Sequence, residues 1–328
     1  MIAQTPGAPT SPLARALEVP RPVKTQPSQP PAVAGGVAFR RLLLVANTHS
    51  RRGRRGLAEA ERALLRLGCS YEVKLTSAGD VTEFIWSRRA GIDAVAVVGG
   101  DGTLNGVAKA LLLTRLPLLV LPSGSANDLA RTLQIPPNIG RAVELLKSGR
   151  LRSIDVGLAN GSPFFNVASI GLGARVTGNL DAALKKALGP AAYPIATVKA
   201  LLGARPFTAR IRGAGWDVEV RTFQVSVGNG RYYGGGTPVE AQAQIDDGQL
   251  DLYSLEVGDL LRLLALSPRL RAGRQRLAAQ VRVGACTKFE IFTRKPQPVS
   301  LYGEILTQTP VTFTIVPKAI RVFAPFRS

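Results

Sequence analysis

One short segment constrains the fold of this chain more than any other. Residues 92–105 read IDAVAVVGGDGTLN, so a run of small and β-branched apolar residues ends abruptly in a polar, glycine-rich turn. The run predicts a buried strand, and the residues from Leu104 onward predict a helix. Ligands of α/β sheets bind beyond the carboxyl ends of the strands, and the free N–H groups at a helix N-terminus attract anions. The segment therefore predicts a phosphate-binding turn.

The chain from residue 41 to residue 149 alternates between predicted strands and predicted helices. The strands are predicted at 41–47, 71–76, 92–98 and 116–122, and the helices at 56–68, 81–91, 104–113, 125–133 and 139–149. Several of the strands are apolar throughout, which is typical of a parallel sheet that is covered on both faces. We therefore expect a parallel α/β nucleotide-binding domain.

The pattern changes after about residue 151. Many of the later segments alternate apolar and polar residues, which predicts an antiparallel β-sandwich, interrupted by helices at 176–187 and 193–203. The fold class is thus predicted as α/β plus β, in two domains with an active-site cleft between them. The boundaries are predicted as a Pro-rich disordered tail at 1–38, an α/β domain at 39–152 completed by 318–328, and a β-sandwich at 153–317. A transit peptide is the alternative for the tail.

Composition narrows the classes of function and of location. The formal net charge of +20 suits nucleic acid, an anionic membrane surface or a phosphorylated substrate. No motif of a DNA or RNA reader is present, so no nucleic-acid partner is expected. No apolar stretch approaches the roughly 20 residues of a spanning helix, and no secretory signal is visible. The two isolated cysteines suit a reducing cytoplasm.

Two further polar turns follow predicted strands. They are NTHSRRGRRG (47–56) and LPSGSANDLAR (121–131), and with GGDGTLN they should meet at one edge of the sheet. The turn at 99–105 fits neither the Walker loop nor the dinucleotide fingerprint. A carboxylate beside phosphates is explained by a bridging Mg²⁺, which predicts that role for Asp101.

These motifs resemble the diacylglycerol kinase catalytic-domain family, which includes soluble bacterial diacylglycerol kinases and the related sphingosine and ceramide kinases. The resemblance is carried, in order along roughly 40–325, by VVGGDGTLNGVAKAL (97–111), LPSGSANDLAR (121–131), FFNVASIGLGARV (164–176), GNGRYYGGGTPVEAQAQIDDGQLDL (228–252) and YGEILTQTPVTFTIVPKAIRVFAP (302–325). It implies an ATP-dependent lipid kinase that uses Mg²⁺.

The resemblance also implies a nucleotide site at the ends of the strands. Its residues are Asn47, Ser50, Arg51, Thr76, Gly99, Gly100, Asp101, Gly102, Thr103, Leu104, Asn105, Gly124, Ser125, Asn127 and Asp128. The first turn departs from the family pattern, because the usual Pro and Gly are missing from Asn47-Thr48-His49-Ser50-Arg51. His49 is interpreted as loop surface or as a donor to phosphate.

In the second domain the resemblance implies a structural Mg²⁺ and a catalytic base. The metal would be held by the side chain of Asp247 and the carbonyl groups of Gln244 and Gln249. Glu304 would be the base, with Asp101 as the second catalytic residue, although Tyr302 replaces the usual aspartate two positions earlier.

The expected partners are a membrane lipid substrate and, peripherally, an anionic membrane surface. We therefore expect a cytoplasmic protein that associates with membranes. The sequence leaves open which lipid is phosphorylated and whether the chain forms a homodimer. Two alternatives also remain: a kinase of a soluble substrate resembling NAD kinase, and a non-catalytic lipid-binding homologue.

Overall fold

The fold begins with the predicted parallel sheet. In the computed structural model, strands β1 (Arg41–Ala46), β2 (Ser70–Leu75), β3 (Ala94–Gly99) and β4 (Leu118–Pro122) pair in parallel in the order β2-β1-β3-β4. Every residue of β3 and β4 is buried, because helices cover both faces of the sheet. The residues described are 39–77, 79–178, 203–230, 232–233, 237–238, 244–256, 281–301 and 303–326.

The helices of this half lie close to their predicted places, with shifted ends. They are α1 (Arg51–Arg66), α2 (Val81–Arg88), α3 (Asp101–Thr114), α4 (Asp128–Thr132), α5 (Ile139–Val143) and α6 (Leu145–Ser148). α1 begins five residues before its predicted start, because the hydroxyl of Ser50 accepts a hydrogen bond from Gly53 N and caps the helix there. The single helix predicted at 139–149 is two short helices divided at Glu144.

The second half is predominantly antiparallel β structure, as predicted. Its elements are β5 (Arg150–Ala159), β6 (Ser162–Phe164), β7 (Val167–Gly171), α7 (Leu172–Gly178), β8 (Phe207–Gly213), β9 (Trp216–Thr222), β10 (Gln224–Gly228), β11 (Tyr232–Tyr233), β12 (Thr237–Pro238), β13 (Leu250–Leu255), β14 (Val281–Cys286), β15 (Lys288–Thr293), β16 (Pro298–Leu301), β17 (Glu304–Gln308) and β18 (Val311–Ala324).

Two sheets enclose the core of this half. One has the order β14-β13-β10-β7-β16-β17, and the other contains β18-β15-β8-β9. Aliphatic and aromatic residues of both sheets form one buried cluster, which includes Ile170, Val225, Leu252, Phe289 and Phe313. This arrangement confirms the predicted fold class of an α/β unit followed by a β-sandwich.

The last strand connects the two halves. β18 pairs in an antiparallel manner with β5 and β15, and Val322 pairs in parallel with Leu118 of β4, so the first sheet continues into the sandwich. The proposed boundary at 317/318 falls inside β18, and the division into 39–152 with 318–328 and 153–317 stays a prediction.

Some predicted segments lie outside the described residues. They are the tail at 1–38, Tyr302, the glycines at 234–236 and most of the helices predicted at 176–187 and 193–203. Within the described part of the chain, no helix has the length and apolar character needed to cross a bilayer.

Candidate active site

A cleft of about 710 Å³ lies between the parallel half and the sandwich half. One wall consists of residues from the ends of β1 and β2 and from α2 and α3, and the other of residues from β6 and β17. Six of the predicted nucleotide-site residues line it: Asn47, Thr76, Gly100, Gly102, Thr103 and Asn105. The cleft is therefore at the sheet edge where the sequence predicted a phosphate site.

The N-terminus of α3 opens onto this cleft. Its N-cap residue is Gly100, so no side chain hydrogen-bonds to the first N–H groups of the helix. A Cβ atom on Gly102 would have no other heavy atom within 4 Å, so the backbone of Gly102 faces open space. An uncapped helix N-terminus beside such a space can bind an anionic group through its N–H groups and its dipole.

The glycine turn packs directly against the predicted turn at 124–128. A Cβ atom on Gly124 would lie 2.5 Å from Gly100 Cα, so Gly124 requires the absence of a side chain, and a Cβ atom on Gly100 would make a tight contact of 3.1 Å with Gly124 Cα. The Asn127 side chain stabilises the second turn, because it accepts a hydrogen bond from Gly124 N at 3.0 Å and donates one to Gly124 O at 2.9 Å. The two turns thus form one rigid unit beside the cleft.

Asp101 accepts several hydrogen bonds in this structure, and its predicted contact with phosphates through Mg²⁺ stays a prediction. Its carboxylate accepts hydrogen bonds from Asp128 N and Leu129 N, each at 3.1 Å, at the N-terminus of α4. The side chain of Asn166 donates a third hydrogen bond, at 3.3 Å. Asp101 is not among the residues that line the cleft. In this conformation its carboxylate links the glycine turn, α4 and the sandwich half.

Two asparagines within the sequence motifs have roles that were not predicted from the sequence. Asn166, in FFNVAS, bonds Asp101, and its carbonyl oxygen accepts a hydrogen bond of 2.7 Å from Asn229 N. The Asn229 amide donates to the carbonyl groups of Asp155 and Phe165, both at 2.9 Å. A continuous chain of hydrogen bonds therefore runs from the sandwich to the glycine turn. The presence of an asparagine in each of these motifs was the sequence signal that could have indicated these hydrogen bonds.

The first turn is compact despite its departure from the family pattern. A Cβ atom on Gly53 would overlap the carbonyl oxygen of Asn47, so a glycine is needed three positions after Ser50. His49 lines the cleft, whereas the Ser50 hydroxyl caps α1 and exposed Arg51 does not line the cleft.

The remaining residues that were predicted to bind the nucleotide do not line the cleft, and most of them pack beneath its surface. Gly99 packs closely against the Thr103 side chain, and Leu104 is buried in the core. Asp128 is also buried, and exposed Ser125 does not line the cleft.

Glu304 lines the same cleft from the sandwich side. It is the first residue of β17 and pairs with Leu301 of β16 across a two-residue turn. Gly303 in this turn has a φ of +86°, a conformation that favours glycine. The hairpin therefore places Glu304 at the start of β17, in the lining of the cleft that the N-terminus of α3 also lines.

Sequence reasoning also missed several lining residues. They are Val81, Thr82, Gly106, Val107, Lys109, Ser162, Pro163 and Leu306. Lys109 and Gly106 lie on α3 within VVGGDGTLNGVAKAL, so their helical spacing from Gly102 could have indicated them.

The predicted metal-binding turn lies away from the cleft. Asp247 is exposed, and its carboxylate accepts a hydrogen bond from Gln249 N at 2.9 Å. Partial loss of solvent raises the pKa of Asp247, and the negative charges of Asp155 and Asp246 raise it further, against the hydrogen bond from Gln249. Exposed Gln244 precedes this turn. Arg152 pairs with Asp246 at 2.8 Å, so a cation bound here would offset the remaining charge of Asp247 and Asp155.

Family models identify both halves of the chain. Residues 41–159 match the diacylglycerol kinase catalytic domain, and residues 166–324 match the YegS C-terminal NAD kinase beta sandwich-like domain.

Individual proteins agree with these matches. A protein of Stenotrophomonas maltophilia, named "Probable lipid kinase YegS-like", is 34% identical over 271 residues, which cover 79% of this chain and 88% of the relative. A protein of the same name from Pseudomonas fluorescens is 34% identical over 83% of this chain and 90% of its own length. A crystal structure of a diacylglycerol kinase from Bacillus anthracis superimposes with a TM-score of 0.72 at 25% identity, covering 88% of this chain and 98% of that one.

Proposed function

We propose a function from the premise that this chain belongs to the diacylglycerol kinase catalytic-domain family of lipid kinases. The protein transfers the γ-phosphate of ATP to a lipid hydroxyl, most simply that of diacylglycerol or a related lipid. The observation that carries this proposal is one cleft lined both by the uncapped N-terminus of α3 and by Glu304. The first can bind phosphates and the second can accept a proton.

The residues of the cleft suit phosphoryl transfer. N–H groups at the start of α3 bind the phosphates of the nucleotide, and the backbone at Gly102 lets them approach closely. Glu304 accepts the proton of the lipid hydroxyl as the hydroxyl oxygen forms its bond to the γ-phosphorus and the bond to the bridging oxygen of ADP breaks. Asp101 holds the glycine turn against α4 through its hydrogen bonds.

Mg²⁺ would supply charge neutralisation at the phosphates. Among the described residues no cluster of three or more His, Cys, Asp or Glu could hold a metal, and Glu304 is the carboxylate that lines the cleft. A Mg²⁺ carried mainly by phosphate oxygens and water fits this lining, since Mg²⁺ in kinases retains waters and takes few protein ligands. The protein then orients the phosphates rather than enclosing the ion.

We propose a second, structural Mg²⁺ site at the side chain of Asp247 and the carbonyl groups of Gln244 and Gln249. Its support is the family resemblance together with the charge of Asp247 near Asp155 and Asp246. The fully buried Asp155 carboxylate accepts hydrogen bonds from Gly248 N at 2.6 Å and Lys318 N at 2.7 Å, so this turn is attached to β18. A cation at the turn would stabilise that attachment.

Replacing Gly102 by alanine is expected to separate nucleotide binding from stability. The new methyl group meets open space, so the melting temperature should stay equal or rise slightly. ATP affinity should fall by about tenfold or more, because the methyl group occupies the space that the phosphates need. Calorimetric titration with ATP and thermal unfolding measure the two effects.

Gly124→Ala is the matched comparison. Its methyl group would overlap the backbone of Gly100, so it should lower stability by about 1–3 kcal/mol as well as weaken binding. Unchanged ATP affinity in the Gly102→Ala variant would contradict the phosphate site.

Asp247→Asn is expected to abolish stabilisation by Mg²⁺ without lowering stability in its absence. Asparagine removes one of the neighbouring negative charges, so the metal-free variant should melt at or above the wild-type temperature. Wild-type protein should gain melting temperature on addition of Mg²⁺, and the variant should not. Asp217→Asn, at an exposed aspartate of β9, is the control that should retain the gain. An equal Mg²⁺-dependent rise in wild type and Asp247→Asn would exclude Asp247 as a ligand.

Label transfer from ATP tests the proposed acceptor class. Purified protein is incubated with [γ-³²P]ATP, Mg²⁺ and either extracted lipid or NAD. Label in the organic phase supports a lipid kinase, whereas label on NAD alone supports the alternative of a soluble acceptor. Consumption of ATP without label on the lipid or on NAD would contradict both of these functions.

The proposed reaction also bears on where the protein works. We propose a cytoplasmic location with reversible membrane contact, since a lipid acceptor resides in a bilayer.

A further inference from the structure

Two large apolar residues stand exposed directly beside the proposed base. Ile305 and Leu306 follow Glu304 in β17, and the two residues are 50% and 47% exposed. Leu306 also lines the cleft. We call this pair the apolar edge. Single exposed apolar residues are ordinary in soluble proteins, but two adjacent large apolar residues at the entrance of a site are a candidate contact surface.

The apolar edge lies on an edge strand that carries a β-bulge. β17 is the outermost strand of its sheet, and its pairing with β16 shifts between Val299 and Ser300. Val299 pairs with Thr307 and Ser300 pairs with Ile305, so Leu306 is the extra residue of β17. No residue of β17 is buried, so residues on both faces of this strand reach solvent. Bulges redirect side chains and are common at sheet edges and next to active sites.

We propose that the apolar edge inserts into the surface of an anionic lipid bilayer and presents the cleft to it. This inference rests on the proposed function, because the acceptor of a lipid kinase must reach Glu304 from a membrane. The edge is continuous with the cleft through Leu306, so an inserted edge would align the entrance with the acyl chains and headgroups. The net charge of +20 complements an anionic leaflet.

A second copy of the chain is a poorer occupant of the same edge. A partner strand paired with β17 would cover the residues that follow Glu304 and obstruct the cleft. Two copies that each carry a net charge of +20 would also repel one another. The bilayer satisfies the apolar and the electrostatic features together.

Vesicle binding without nucleotide tests the proposal separately from the kinase reaction. Wild type, the double variant Ile305→Thr/Leu306→Thr and the control Leu65→Gln are sedimented with vesicles of phosphatidylcholine and phosphatidylglycerol in equal amounts. Threonine keeps the preference for a strand. Leu65 is a 62% exposed leucine on α1 that does not line the cleft. Melting temperatures verify that all three proteins are folded.

The double variant is expected to bind about tenfold or more weakly than wild type, whereas Leu65→Gln should stay within about twofold, since binding scales with inserted apolar area. Raising salt from about 0.01 M to about 0.1 M should weaken all three, because the Debye length falls from about 30 Å to about 10 Å. Equal binding of the double variant and wild type would overturn the proposal, as would a change in oligomeric state that accounts for the difference.

A tryptophan probe keeps the test decisive if the double variant misfolds. Fluorescence of Ile305→Trp should be quenched by brominated acyl chains beyond the background of Trp86 and Trp216, and that of Leu65→Trp should not. Equal quenching of the two variants would overturn insertion at the apolar edge. Binding and quenching as expected, without phosphorylation of any lipid, would leave the docking surface in place and reject the proposed function instead.

Discussion

Replacement of Glu304 by glutamine is expected to lower the rate of phosphoryl transfer by about 10²–10⁴-fold while leaving ATP affinity unchanged. Glutamine preserves the size of the side chain, but its amide cannot accept the proton of the lipid hydroxyl. The residue is exposed at the start of β17, so its replacement should not disturb the core. Steady-state rates across a range of pH, together with ATP titrations, measure the two effects.

Glu219→Gln is the matched control for this variant. Glu219 is also an exposed glutamate on a strand, but it lies on β9 and does not line the cleft. Its replacement should leave the rate at the wild-type level. If Glu304→Gln turns over like wild type at every pH, the assignment of the base is wrong, and another residue must accept the proton.

Replacement of Asp101 by asparagine is expected to abolish activity and also to destabilise the protein. The carboxylate accepts bonds from two backbone N–H groups at the start of α4, whereas one end of an asparagine amide would present a donor to a donor. A backbone N–H that loses its acceptor costs about 1–3 kcal/mol, so we expect a loss of that size. Thermal unfolding and label transfer to lipid measure stability and activity.

Asn166→Ala serves as the comparison, because it removes only the third and longest of the Asp101 hydrogen bonds. It should lower activity less than Asp101→Asn does. If the Asp101→Asn variant keeps wild-type stability and loses activity only because its Mg²⁺ requirement has changed, the result supports direct contact with the metal and contradicts the positioning role.

The sequence was most informative where a local pattern is enough to determine structure. Apolar runs such as AVAVVG predict buried parallel strands, and the glycines after β3 predict an anion-binding helix start. The fold class and the family follow from such patterns, and both were confirmed.

The sequence was least informative about side chains that act across long separations. The turn that contains Asp101 gives no sign of its hydrogen-bond partners, because they are 27 to 65 residues away. Likewise, the bulge at Leu306 depends on pairing between β16 and β17, which periodicity does not show. The start of α1 differs from its predicted position for a local reason that the sequence does contain, because Ser50 is a good N-cap residue.

The proposed transfer of phosphate from ATP to a lipid is tested by measuring ATP consumption and lipid phosphorylation in the same reaction. Purified protein is supplied with [γ-³²P]ATP, Mg²⁺ and each lipid of a panel that includes diacylglycerol, phosphatidylglycerol and a sphingoid base, and ADP and labelled lipid are measured over time. We expect at least one lipid to gain label in an amount equal to the ADP formed, and Glu304→Gln to lose both signals together. ADP formation without labelled lipid, or labelled lipid at the wild-type rate in Glu304→Gln, would contradict this expectation.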